Sequence, residues 1–265
     1  MPSTSWEKVH DWYDGIVGAK GHYYHQQVIF PRLIPLLTAT QKIKKILDIG
    51  CGQGILARAL PKNVPYVGID SSPSLIEKAT KLSSHTFMVQ NAEEPFSLGK
   101  DFSHAAIILA LQNMRDPLAV FENIAHHLTD QGQLFIILNH PCFRIPRQSG
   151  WSIDEKKQLQ SRRIDRYMTP LEIPISTHPG QRSGQGDETI TTLTYHLPLS
   201  AYSDALWKSG FCLERIEEWC SDKTSTGKAA RRENRARQEF PLFICLVARK
   251  KSHLLLSDQI SKRGQ

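Results

Sequence analysis

Long apolar runs are missing from this 265-residue sequence. No stretch approaches the roughly 18 consecutive apolar residues that a membrane-crossing helix needs, so a helical membrane protein is excluded. Cysteine is scarce as well. The five cysteines, at positions 51, 142, 212, 220 and 245, are scattered and show no metal-finger spacing. That excludes a disulfide scaffold and a zinc ribbon, and predicts a metal-free chain in a reducing, cytoplasmic setting. The first fourteen residues carry Glu7, Lys8, Asp11 and Asp14 without an apolar run, so no secretory leader is expected there. No internal repeat is present. What the sequence does have is 40% hydrophobic and 22% charged residues, the balance of a chain that buries a core.

The net charge of +7 is unevenly placed. Residues 221–251 hold nine Lys/Arg against three Asp/Glu, and residues 144–166 hold seven against three, on an otherwise mildly acidic body. Such segments suit an anionic small molecule, a nucleic acid or an acidic partner, and equally suit solvated loops.

Short apolar runs alternate with helical patterns. Lys45-Ile-Leu-Asp-Ile49, Tyr66-Val-Gly-Ile69, Thr86-Phe-Met-Val89, Ala105-Ala-Ile-Ile-Leu109 and Gln133-Leu-Phe-Ile-Ile-Leu138 read as buried strands. Helices are expected from Ile55 to Leu60, from Pro73 behind a Ser72 cap, from Asp116-Pro117 to Leu128, and from Ser200 to Ser209. Phe211 to Trp219 and Leu242 to Ala248 read as two closing strands. This order predicts a doubly wound, seven-stranded, mostly parallel α/β sheet, with ligands at the carboxyl ends of its strands. Residues 139–197 break the rhythm and are expected to form an insertion after strand five, over the active edge. The predicted organisation is an N-terminal lid or helical segment (1–42), a main domain (43–250) and a tail (251–265).

The sharpest motif is Leu47-Asp-Ile-Gly50-Cys51-Gly52-Gln-Gly54, a glycine turn between strand and helix. Glycines there let backbone approach a ligand and adopt dihedrals closed to other residues. Asp48 would repel a pyrophosphate and attract a cationic ligand, which favours S-adenosylmethionine, with its ammonium and sulfonium, over NAD. Asp70 follows Gly50 by twenty residues, at the end of the second strand, where a carboxylate can accept from both ribose hydroxyls. Asn91, after the third strand, can read an adenine amino group. Leu109, Ala110 and Leu111 can pack on a nucleoside.

Together these residues resemble the class I S-adenosylmethionine-dependent methyltransferases, in particular the small-molecule, type 11-like group. The resemblance covers residues 43–140 and resumes at 195–248, where Tyr195-His-Leu-Pro-Leu-Ser200 is similar to the stretch before the last helix of many members. It implies the Rossmann-like methyltransferase fold and S-adenosyl-L-methionine as cofactor. Asp48, Gly50, Cys51 and Gly52 would hold the methionine end. Asp70 would hold the ribose, with Ser71 and Leu75 beside the adenine, and Asn91 and Ala92 would contact the base. Leu109 would close the floor, near Asn113. The family usually carries aspartate where Asn91 stands. The aromatic segment Trp6 to Phe30 would lie over the cofactor, with Tyr13 and Tyr23 as the residues to test.

The acceptor side is less explicit. His140, in Asn139-His-Pro-Cys142 after strand five, and His196 are the candidate general bases, since imidazole titrates near neutrality. Each is also readable as a histidine that only braces its turn or strand. Arg144 and Arg147 are the candidate contacts to an anionic acceptor, because guanidinium forks suit carboxylate and phosphate. Arg231, Arg232, Arg235 and Arg237, interleaved with Glu233 and Glu239, read as a solvated helix face. The expected activity is methyl transfer to a small, anionic acceptor. Two alternatives stand beside it: an RNA-modifying methyltransferase using the basic segments, and a cofactor-binding protein without turnover.

Overall fold

The computed structural model describes Glu7, Gly15, Gly18 and residues 21–39, 44–176 and 191–252. Tyr13 and most of the N-terminal segment lie outside the described residues, as does nearly all of the tail. A π-helical turn, His25–Ile29, runs directly into α1 (Phe30–Ala39). Then follow β1 (Ile46–Ile49), α2 (Ile55–Ala59), β2 (Tyr66–Asp70), α3 (Pro73–Leu82), β3 (Thr86–Val89) and β4 (Phe102–Ile108). A 3₁₀ turn, Leu111–Asn113, precedes α4 (Pro117–His127) and β5 (Leu128–Asn139).

These strands join β10 (Phe211–Trp219) and β11 (Phe243–Lys250) in one seven-stranded sheet of order β10-β11-β5-β4-β1-β2-β3. Pairings are parallel except for β11, which runs antiparallel to both β5 and β10. The order reverses between β1 and β4, which opens a crevice at their carboxyl ends.

Period-two alternation assigns side chains to the two faces. Leu47, Ile49, Ala105, Ile107, Leu134, Ile136 and Leu138 form one core with Val120, Phe121 and Ile124 of α4. The intervening Ile46, Ala106, Phe135 and Ile137 form the other, with Val28, Ile29, Leu33 and Leu37 of the N-terminal helix. Ser72 caps α3 as expected, its Oγ accepting from Leu75 N at 3.3 Å, and Asp116 caps α4.

The insertion is more regular than its sequence. The expected loop holds two antiparallel hairpins: β6 (Ser149–Asp154) with β7 (Leu159–Ile164), and β8 (Leu171–Ser176) with β9 (Thr191–His196). Its strands are mostly exposed or half-buried, so their hydrophobic alternation is weak. β5 begins earlier than the apolar run indicates. The Asp130-Gln-Gly132 turn is contained in it as an irregularity, with Gln131 at φ 64°. After the second hairpin come α5 (Leu199–Lys208), β10, α6 (Ala230–Glu239) and β11. The basic run in α6 is partly neutralised by Arg237–Glu233 within the helix and by Arg232–Glu155, which reaches the β6–β7 hairpin.

Candidate functional site

The turn after β1 shapes the crevice. Gly50, Gly52 and Gly54 all have positive φ (66°, 54° and 75°). At Gly50 an added Cβ would lie 2.5 Å from Ala110 Cβ, so the β1 and β4 loops approach each other closely only because this side chain is absent. Leu109, at the end of β4, also has positive φ (55°), a costly conformation for a non-glycine residue.

Asp70 closes the opposite wall. Its Oδ2 accepts from Gly52 N and its Oδ1 from Ser72 N, both at 2.9 Å, so the carboxylate ties the glycine turn to the start of α3. Burial raises its pKa, while those backbone donors oppose the rise. Each carboxylate oxygen keeps a further lone pair for a ligand.

A cavity of about 570 Å³ spans the carboxyl ends of β1, β2, β4 and β5. Among the sequence candidates, Gly50, Gly52, Asp70, Ser71, Leu75, Asn91, Ala92, Leu109 and Arg144 line it. Asn91 is partly committed: its Oδ1 accepts from Glu93 N and its Nδ2 donates to Glu94.

Asp48 and Cys51 lie elsewhere. Asp48 projects from β1 to the face opposite Leu47 and Ile49 and is 3% exposed. It borders a small void behind the glycine turn with Cys51, Ile55 and His25, rather than the main cavity. Tyr66 Oη donates to its Oδ2 at 2.5 Å. Burial pushes the Asp48 carboxyl up to about 7, against that hydrogen bond.

His140 and His196 do not line the cavity. His140 Nδ1 accepts from Cys142 N at 3.2 Å, which leaves Nε2–H to donate to Glu218 at 2.8 Å. His196 Nε2 lies 2.8 Å from the Tyr167 carbonyl. These contacts tie His140 to β10 and His196 to the Tyr167 backbone. Arg147 is exposed and does not line the cavity either. Tyr23 is 40% exposed, and its hydroxyl donates to Asp222.

The N-terminal segment instead contributes His22, Tyr24 and His25. The π turn brings His25 inward to 8% exposure. Its Nδ1 is buried without a hydrogen-bond partner among the described residues, and burial, with His22 nearby, lowers its pKa to about 4. The adjacency of His22, Tyr24 and His25 in an aromatic run signalled the segment, but only the π turn decides which side chains face inward. Asn139, Phe243, Gln90, Glu93 and Met114, none of them a predicted site residue, complete the walls. Among the described residues no cluster of His, Cys, Asp and Glu could hold a metal, and no helix is long and apolar enough to cross a membrane.

A switch-point crevice with a glycine turn, a strand-end carboxylate and an apolar slot defines a nucleoside-binding doubly wound α/β protein. Residues 22–169, more than half the chain, match the family described as "Methyltransferase domain". The chain belongs to that family. In fold it is similar to a methyltransferase from Mesorhizobium loti (TM-score 0.63, 24% identity, 83% of this chain and 96% of that one). It is also similar to an S-adenosylmethionine-bound amino pentose methyltransferase from Micromonospora echinaspora (TM-score 0.57, 15% identity, 90% and 96%). In sequence it is 34% identical over 102 residues to a ubiquinone biosynthesis O-methyltransferase of Coxiella burnetii, spanning 36% of this chain and 44% of that relative.

Proposed function

We propose that this chain transfers the methyl group of S-adenosylmethionine to a small, anionic acceptor bound over the β4–β5 end of the crevice. The observation that carries the proposal is the composition of one continuous cavity, whose wall runs from Asp70 and Leu75 at one end to Asn139 and Arg144 at the other. At the first end, Leu75 and Ala92 offer an apolar slot for the adenine and Asp70 offers lone pairs to the ribose hydroxyls. Gly50 and Gly52 leave room for the methionine portion against bare backbone. Asp48 stays behind that turn and does not line the cavity. The cofactor, when bound, supplies a methyl group already activated on sulfonium.

The chain's own part is to bind and orient, which alone removes much of the barrier to a transfer between two held partners. Leu109, Ala110 and Met114 exclude water from the middle of the crevice. His25, neutral at physiological pH because of its burial, is available as a hydrogen-bond acceptor there. The O-methyltransferase relatives favour an oxygen acceptor, and support for that rests on the matched 102 residues alone.

The test is transfer of labelled methyl from S-adenosylmethionine into fractionated cell extract. Label in the low-mass, anion-exchangeable fraction is expected. Label in RNA would replace this reading with the nucleic-acid one, and cofactor binding without label in any fraction would leave a binding protein without turnover.

A further inference from the structure

The far end of the cavity has chemistry of its own. Arg144 is the one lysine or arginine that lines it among the described residues. Its Nη1 donates to Asn139 Oδ1 at 2.8 Å, and its guanidinium carbon lies 5.8 Å from the Phe243 ring centroid. None of the carboxylates among the described residues pairs with it. Two titratable neighbours act on it: Tyr24, which favours its charge, and a second cation, Arg162, which opposes it and is already engaged. Arg162 Nε donates to the Phe143 carbonyl at 2.7 Å, and Nη2 donates to Ser149 Oγ at 2.8 Å. Burial is the largest influence and disfavours charge on Arg144; Arg162 adds to it and Tyr24 opposes it, and with no carboxylate among the described residues paired to it, this guanidinium is stabilised by an anion brought by a ligand.

The neighbouring wall is aromatic. Tyr24 and Phe243 meet edge to face, with centroids 5.7 Å apart at 71°. That corner suits a third ring, offset or edge-on to either face. Asn139 and Phe243 are register partners on β5 and β11. With strands about 4.8 Å apart, they stand roughly 10 and 14 Å across the sheet from β1, beyond the cofactor's end of the crevice.

Building on the methyl-transfer reading of this cavity, we propose that Arg144, Asn139, Tyr24 and Phe243 form a recognition site for an aromatic monocarboxylate. Arg144 takes the carboxylate, Asn139 fixes the guanidinium plane, and the two rings flank the acceptor's ring. A single inward-facing cation with one N–H already spent matches one negative charge, so a carboxylate fits better than a phosphate dianion. The atom to be methylated then sits on the ring edge directed back toward Leu109 and Met114.

The experiment uses the full chain loaded with S-adenosylhomocysteine, and a panel of hydroxy- and aminobenzoates, each matched with its carboxamide. Binding is read by calorimetry and ligand-detected NMR. At least one benzoate should bind at least about tenfold more tightly than its amide, the scale of one charge-assisted contact. Arg144→Gln should abolish that preference, Arg144→Lys should restore part of it, and both should keep parental affinity for S-adenosylhomocysteine. Equal binding of acid and amide in the parent protein overturns the proposal without recourse to any variant. So does absence of benzoate binding at millimolar concentration, or acetate and inorganic phosphate binding as tightly as the benzoates. Loss of S-adenosylhomocysteine affinity in a folded Arg144→Gln protein also overturns it, by assigning Arg144 to the cofactor. Failure of the parent to bind S-adenosylhomocysteine would instead strike the reading of the cavity on which the proposal rests.

Discussion

Asp48 is the residue whose surroundings differ most from its motif. A carboxylate beside a glycine turn suggests direct contact with a ligand, yet strand alternation sends this one beneath the turn, where Tyr66 is its hydrogen-bond donor. Its pKa of about 7 lies well above the ordinary aspartate value of 3.8. Between those values the folded chain holds a proton that the unfolded chain has released, so stability falls as pH rises through the window. Asp48→Asn keeps an acceptor for Tyr66 and removes this dependence. Relative to the parent, the variant should gain on the order of 4 kcal/mol between pH 4 and pH 8, as read from urea unfolding at both ends. A gain or loss independent of pH would show that the carboxyl is not held neutral by burial. Asp70 contrasts with it, because its carboxylate faces the cavity. Asp70→Ala should weaken cofactor binding by about 2–4 kcal/mol, since two charge-assisted hydrogen bonds are lost together. Unchanged affinity in a folded variant would move the ribose site elsewhere.

At the scale of elements, the β1 and β4 loops act as one unit, because Gly50 allows them to touch. Gly50→Ala places a methyl group 2.5 Å from Ala110 Cβ and forces positive φ on alanine. The combined strain and overpacking should cost on the order of 2–4 kcal/mol in urea unfolding, and cofactor affinity should fall with it. Parental stability would mean that the two loops separate freely. The strands and helices around these loops were legible in sequence, since buried parallel strands are continuous apolar runs and Ser72-Pro73 and Asp116-Pro117 mark helix starts. The Gly50 turn was legible because its positive φ calls for glycine, and Asp70 because it is a carboxylate at a strand end. The hairpins of the insertion were not, because exposed strands such as Trp151-Ser-Ile-Asp154 carry no burial period. For His140 and His196, residue type did not show that ring nitrogens are bonded to Glu218 and to the Tyr167 carbonyl. The converse holds for Phe243 and Asn139, which reach the cavity only through the antiparallel pairing of β11 with β5.

Across the whole molecule, buried histidines set the acid limit. His25 and His104 both have pKa values lowered to about 4 by burial, with His22 and Arg249 respectively adding to the shift. From pH 6.5 down to 4 the unfolded chain takes up protons that the folded chain refuses, so stability falls with pH in that window. Each residue accounts for on the order of 3 kcal/mol of that loss. His25→Gln should therefore flatten the acid side of the stability profile while leaving the region above pH 7 unchanged. An equally steep acid limb in that variant would mean that its ring is protonated in the folded state. The helices α1 and α4 hold the sheet from opposite sides, and the cavity opens at the strand termini.

The central claim is that this opening is an S-adenosylmethionine site. Calorimetric titration of the purified chain with S-adenosylmethionine, S-adenosylhomocysteine and NAD, in parallel on the parent and on Asp70→Ala, tests it most directly. Micromolar binding of the first two, no binding of NAD, and a marked loss in the variant are the predicted results. Binding of NAD in preference to S-adenosylmethionine would contradict the account.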